Sequence, residues 1–258
     1  MDFGLNLYSL RTLIQTEDEL LKTTETLSDM GYKYLQFSGA PFDAGVIKRV
    51  SDATGVPFVL THVPMDRIIG DTERLMEEHA SFGCKNIGLG TVPWKILCDK
   101  DEMMSTIDSL AHAADLMTKN GFKFFYHNHH VEFFKYDEKT ILDILIERIP
   151  QVNITLDTYW AQYGGANVLA LVKKLSGRIG CVHLKDYKIK ISDDGKFVPD
   201  YAPLGDGNMD FDSIIPAMKA SGAEYFLVEM DNAAEAERPF EQIKRCADYL
   251  KNFEVKNG

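Results

Sequence analysis

Residues 124–134 read FFYHNHHVEFF, which sets His127, His129 and His130, three of the chain's seven histidines, beside Glu132. Further on, Asp157 lies in NITLDT, His183 in IGCVHLKD and Glu229 in YFLVEMD. Imidazole and carboxylate together make a nitrogen and oxygen environment that suits Mn²⁺, Mg²⁺, Co²⁺ or Zn²⁺, whereas copper(I) and iron–sulfur sites draw on thiolates. The candidate metal ligands are Glu132, Asp157, His183 and Glu229, with Mn²⁺ as the first choice of ion. Neutral imidazole also accepts a proton near pH 7, so the histidines beside the ion can serve as a base or as polar contacts to substrate.

These residues meet only if separate strand ends converge. Short β-rich apolar runs alternate with amphipathic stretches along the chain, as expected of repeated βα units. The predicted strands are residues 3–9, 32–38, 57–63, 86–91, 123–129, 153–158, 179–186 and 225–231, with helices at 17–30, 72–83, 101–120 and 239–250. Eight such units over residues 1–258 fit a single (β/α)₈ barrel domain, in which strand C-termini build the active site. The strands finish with Tyr8-Ser9, Gln36, His62, His127-Asn128-His129, Asp157, His183-Leu184-Lys185-Asp186 and Glu229, all aimed at one mouth. Because side chains alternate along a strand, Asp157 can point inward, and so can His183 with Lys185. By the same rule His127 and His129 share a face, and His130 takes the other.

The sequence excludes several alternatives. It has no GxGxxG after the first strand and no GxxxxGK[ST], so a doubly wound nucleotide-binding sheet is disfavoured. A net charge of −11 without a Lys/Arg run argues against nucleic-acid binding. Cys84, Cys98, Cys181 and Cys246 lack CxxC spacing and read as reduced core thiols. No signal-like or membrane-spanning run is present, which predicts a cytoplasmic protein with no membrane partner. The Gly-Asp-Gly of PLGDGNMDF (203–211) is too weak a signal to predict a phosphate grip.

With LYSLR, THVP (61–64), YHNHHVEF (126–133), LDTYW (156–160), VHLKD (182–186), LGDGNMDF (204–211) and VEMD (228–231), the chain resembles the sugar isomerase/epimerase family with the xylose-isomerase-like TIM barrel, relatives of which are ketose 3-epimerases and inosose isomerases and dehydratases. The resemblance implies a divalent ion held from the last four strands, with Asp157, His183 and Glu229 as ligands. Where the family's usual fifth-strand Glu sits, this chain has Tyr126; Glu132 takes the fourth place if the chain turns back, with His129 or His127 as competitor. Gln36 replaces a Glu often found on the second strand. The family often forms dimers or tetramers, which leaves room for a homo-oligomer.

Proton removal beside a sugar carbonyl needs Lewis-acid polarisation and a positioned base. The first expectation is therefore an isomerase or epimerase of a sugar or sugar derivative working through a metal-stabilised enediolate. Glu229, Glu132, His129 and His127 are its catalytic candidates, while His62, Lys185, Trp160 and Tyr8 bind a small carbohydrate. The alternative is a lyase or dehydratase acting on a keto-sugar, keto-inositol or 3-keto-glycoside, with His127 or His129 as base. A non-catalytic sugar-binding barrel, which would need no metal, is the third reading.

Overall fold

The computed structural model describes residues 1–257. Eight parallel strands close into a barrel: β1 (Gly4–Asn6), β2 (Tyr34–Phe37), β3 (Phe58–His62), β4 (Asn86–Leu89), β5 (Lys123–His127), β6 (Asn153–Asp157), β7 (Ile179–Leu184) and β8 (Tyr225–Val228). Each pairs with its neighbours in chain order, and β1 meets β8 to remove the sheet edges. Every predicted strand forms, and each ends earlier than predicted. Asn6 stops β1 by accepting from the Tyr8 amide (3.3 Å), and Leu7–Leu13 turns into a 3₁₀ helix, so Tyr8 belongs to that helix and not to a strand.

Alternation sorts the strand residues into two environments. Leu5, Leu35, Ile87, Phe124, Tyr126, Ile154, Leu156, Val182, Leu184 and Val228 face outward into the core under the helices. Tyr34, Leu60, Phe125, Cys181 and Leu227 form a separate buried cluster inside the barrel. Since both faces are covered, the strands read as continuous apolar runs. Two residues beyond each interior residue, on the same face, stand Gln36, His62, His127, His183 and Glu229; Asp157 follows Thr155 and Asn6 follows Gly4 in the same way. An apolar plug thus carries a polar layer directly above it.

The helices are set by local signals. Thr16 and Glu19 form a reciprocal capping box at the start of Glu17–Asp29. Asp43 and Asp99 cap Ala44–Thr54 and Lys100–Lys119, and Gly55, at φ +71°, ends the former in the left-handed conformation that glycine permits. Among the described residues no helix is long and apolar enough to cross a membrane.

The largest β element outside the barrel departs from the predicted strand-to-loop junction. After Lys185 the chain forms an antiparallel hairpin of Asp186–Ile191 with Phe197–Ala202. The Asp186 carboxylate accepts from the amides of Tyr187, Gly205, Gly207 and Met209 at 2.8–3.1 Å. The amides of the Gly-Asp-Gly loop are therefore occupied within the protein. Cys84, Cys181 and Cys246 are buried as expected, but Cys98 is exposed.

Below the mouth, buried His79 ties the Thr72–Ser81 helix to β3: its Nε2 meets Thr61 Oγ1 at 2.7 Å and its Nδ1 meets the Leu75 carbonyl at 2.7 Å. Burial lowers this imidazole from 6.5 to about 4. The unfolded chain takes up the proton first, so the contribution of neutral His79 is whole above pH 6.5 and lost as pH falls towards 4. We expect urea unfolding between pH 7 and 4.5 to show a loss approaching about 3 kcal/mol from this group. His79→Gln should flatten the profile by that amount; an identical slope in the variant would contradict the assignment.

Candidate active site

Four buried side chains converge above the interior plug. One ligand atom from each of His127, Asp157, His183 and Glu229 lies within 4.8 Å of the others. His127 Nε2 is 3.6 Å from Asp157 Oδ2, His183 Nδ1 is 4.0 Å from the same oxygen, and His183 Nδ1 also touches Glu229 Oε2.

Each of the four is held by a second partner, which for His127, His183 and Asp157 leaves one atom for the centre. His127 Nδ1 donates to the Gly90 carbonyl (3.1 Å), which directs the Nε2 lone pair inward. His183 Nε2 donates to Gln36 Oε1 (2.7 Å), which frees Nδ1. Asp157 Oδ1 caps the following helix by accepting from the Trp160 amide (2.8 Å), so that Oδ2 faces the cluster. Asn6 Nδ2 donates to Glu229 Oε2 (3.1 Å). Gly90 is small because a side chain there would strike His62.

The donor set fits a divalent cation. His127 Nε2 and Asp157 Oδ2 are buried without a hydrogen-bond partner, and His183 Nδ1 faces only carboxylate oxygens. Each orphan costs about 1–3 kcal/mol, a cost that a cation paired with them all would remove. The charges agree: Lys185 Nζ contacts Asp231 (2.7 Å), Glu229 (3.4 Å) and Asp157 (3.8 Å), so three carboxylates face one ammonium. A deficit of two charges is what a divalent ion would balance.

Protonation follows from the same contacts. Burial raises Asp157 to about 6 against the pull of Lys185, and burial with Glu229 raises Asp231 to about 6. For Glu229 burial is outweighed by Lys185 and His183, which hold it well below the usual carboxylate range. Lys185 is raised, because the carboxylates around it overcome its burial. Burial and then neighbouring imidazoles lower His127 and His129 to about 3, leaving both neutral at pH 7.

Above the cluster opens a cavity of about 710 Å³, ample for a sugar ring. Tyr8, His62, His127, His129, Trp160 and Glu229 line it, as does Asp231, for which VEMD was the overlooked signal. Three expectations change. Glu132 stays outside the cluster: its carboxylate accepts from Tyr126 Oη (2.9 Å) and the His129 amide (2.7 Å), and His127 takes the fourth place. His130 also lines the cavity, since β5 ends at His127 and alternation stops applying beyond it; its ring stacks on Trp160 with centroids 5.1 Å apart. Lys185, expected to touch substrate, is fully buried beside the carboxylates and under the rings of Trp160 and Tyr201. Gln36 and Asn6, whose supporting roles went unread, are polar residues at strand ends, which was the available signal.

Residues 24–253 match the family model described as xylose isomerase-like TIM barrel. The chain belongs to this family. An inosose dehydratase from Geobacillus thermodenitrificans (strain NG80-2) is 27% identical over 165 residues, which cover 59% of this chain and 55% of that protein. The chain thus spans little more than half the length of the curated relatives it matches. A sugar phosphate isomerase/epimerase from Parabacteroides distasonis ATCC 8503 has a TM-score of 0.79 at 23% identity, covering 96% of this chain and 97% of that one. A xylose isomerase-like TIM barrel protein from Mycobacterium smegmatis in complex with magnesium has a TM-score of 0.74 at 12% identity, covering 98% and 96%. At these identities the two solved structures speak for the shared fold.

Elemental analysis after Mn²⁺ loading and dialysis tests the cluster. We expect near-stoichiometric metal in the wild type, none in Asp157→Ala or His183→Ala, and roughly 10–100-fold weaker binding in Gln36→Leu, which loses the orientation of His183. Glu132→Gln should keep its metal; its loss there would return Glu132 to the ligand set.

Proposed function

We propose that this barrel is a metal-dependent lyase of the dehydratase type, removing the proton beside the carbonyl of a sugar or cyclitol ketone and expelling a hydroxyl from the next carbon. His127, Asp157, His183 and Glu229 would hold a divalent ion, which supplies Lewis-acid polarisation of the carbonyl. The reading rests on one observation. β5 ends in an imidazole with Glu132 turned away, so the carboxylates lining the cavity, Glu229 and Asp231, both come from the end of β8.

Epimerisation moves a proton between opposite faces of one carbon and needs an acid and a base facing each other. Elimination can run from one wall. The Glu229 carboxylate takes the proton, the C–H electron pair becomes the new C=C bond through the enolate, and the C–O bond at the next carbon breaks with its pair on oxygen. The proton taken up by Glu229 passes to Asp231, with which Glu229 shares a hydrogen bond, and from there completes a water molecule on the departing oxygen. Lys185, 3.4 Å from Glu229 and 2.7 Å from Asp231, holds these two like charges together. Trp160 and Tyr8 present aromatic surface to the apolar face of the ring. The inosose dehydratase similarity supports the same outcome.

Isomerisation or epimerisation is the second reading. It is favoured by His62 and His129, which line the cavity from β3 and the end of β5 and could return a proton opposite β8.

Incubation of the Mn²⁺-loaded protein with a panel of keto-sugars and keto-cyclitols in D₂O separates the two. We expect a product lighter by one water, and a drop of roughly 100-fold in kcat for Asp231→Asn with metal content unchanged. A product of unchanged skeleton carrying one deuterium would establish the epimerase instead.

A further inference from the structure

Beside the catalytic cavity lies a second cleft of about 540 Å³ whose walls are almost wholly apolar: Trp94, Leu97, Phe133, Phe134 and Tyr163, with His130 at the junction. Trp94 and His130 line both spaces, so the polar cavity and the apolar cleft are adjacent halves of one trough that meet at these two side chains. The rings at the junction are ordered against each other: His130 stacks on Trp160 and meets Trp94 and Tyr163 edge-on, with centroids 5.1–6.0 Å apart. Trp94, Phe134 and Tyr163 are nevertheless 62%, 59% and 52% exposed. Such exposed apolar surface beside a polar cavity marks a place that something else covers.

The lining of the trough contains neither Lys nor Arg. Apart from the proposed ion at the sugar end, a phosphate would find no cationic Lys or Arg side chain in this lining, and Asp231 would repel it. A ligand matched to both halves carries hydroxyls at one end and a flat apolar group at the other.

Resting on the proposed reading of the catalytic cavity, we infer that the apolar cleft seats an aromatic group attached to the sugar, so that the substrate class is an uncharged aryl glycoside whose sugar carries a keto group, for which simple aryl glycosides serve as binding probes, and not a free or phosphorylated sugar. The ring lies among Trp94, Phe134 and Tyr163 while the sugar reaches His129 and Glu229.

Cys98 lines this cleft and is the one exposed cysteine among the described residues, so it reports occupancy without any turnover. The test uses the Mn²⁺-loaded full chain, with calorimetric titration of 4-nitrophenyl and methyl β-glycosides of glucose, galactose and xylose, and of 4-nitrophenol. Alkylation of Cys98 by iodoacetamide is followed in parallel. For at least one sugar, the aryl glycoside should bind about tenfold or more tighter than its methyl counterpart and than 4-nitrophenol, as expected for burial of one aromatic ring. It should also slow Cys98 alkylation and be displaced by the methyl glycoside. Phe134→Ser, a change at an exposed site, should remove the aryl advantage and leave methyl glycoside binding unchanged.

Equal aryl and methyl binding for all three sugars, absence of binding included, would overturn the inference. So would Cys98 protection that the methyl glycoside cannot reverse, which marks an unconnected site, or a Cys98 already shielded in a dimer before ligand is added. Because these readouts need no turnover, a failed lyase assay counts against the proposed reaction and not against the cleft.

Discussion

The two-residue repeat of a β-strand is the constraint on which this molecule depends. Inside the closed barrel, Tyr34, Leu60, Phe125, Cys181 and Leu227 form a buried, largely apolar layer, and the next inward position on each of these strands carries a polar group. Gln36, His62, His127, His183 and Glu229 occupy those positions, so strands from distant parts of the chain deliver their side chains to one plane without a dedicated scaffold. The plug below keeps water out, which strengthens every electrostatic contact above it.

The polar layer is costly, and its composition shows how the cost is met. Buried carboxylates resist ionisation, as the upward shifts of Asp157 and Asp231 indicate, and a single Lys185 cannot balance three of them. A hydrogen bond from the Trp160 amide and the acceptors Gln36 and Gly90 settle the outer atoms of Asp157, His183 and His127, and Asn6 orients the Glu229 carboxylate. Their inner atoms remain, aimed at one another. A cation at such a site would add to its stability, and the same supporting contacts preset the direction of the lone pairs.

Much of this was legible in the sequence because it follows from alternation. Asp157 and His183 share a face with interior residues of their strands, and all eight strands were visible as apolar runs between amphipathic stretches. The reading weakened where regular structure stops. Past His127 the chain turns, which brings His130 into the cavity and sends Glu132 to Tyr126 and the His129 amide, and period two is silent about both. Lys185 lies beyond the last residue of β7, where an inward side chain meets buried acids before it meets solvent. The hairpin from Asp186 was hidden because DYKIKI alternates apolar with charged residues that stay exposed on both sides, a pattern equally compatible with a loop. Gln36 was visible only as a polar strand end; its partner His183 is 147 positions away and no local signal links them.

The central claim is that His127, and not Glu132, completes a divalent-metal site with Asp157, His183 and Glu229. Anomalous diffraction from crystals grown with Mn²⁺, recorded on either side of the manganese absorption edge, tests it most directly. The account predicts one strong peak enclosed by His127 Nε2, His183 Nδ1, Asp157 Oδ2 and a Glu229 oxygen. A peak coordinated by Glu132, or the absence of any peak among these four residues, would contradict it.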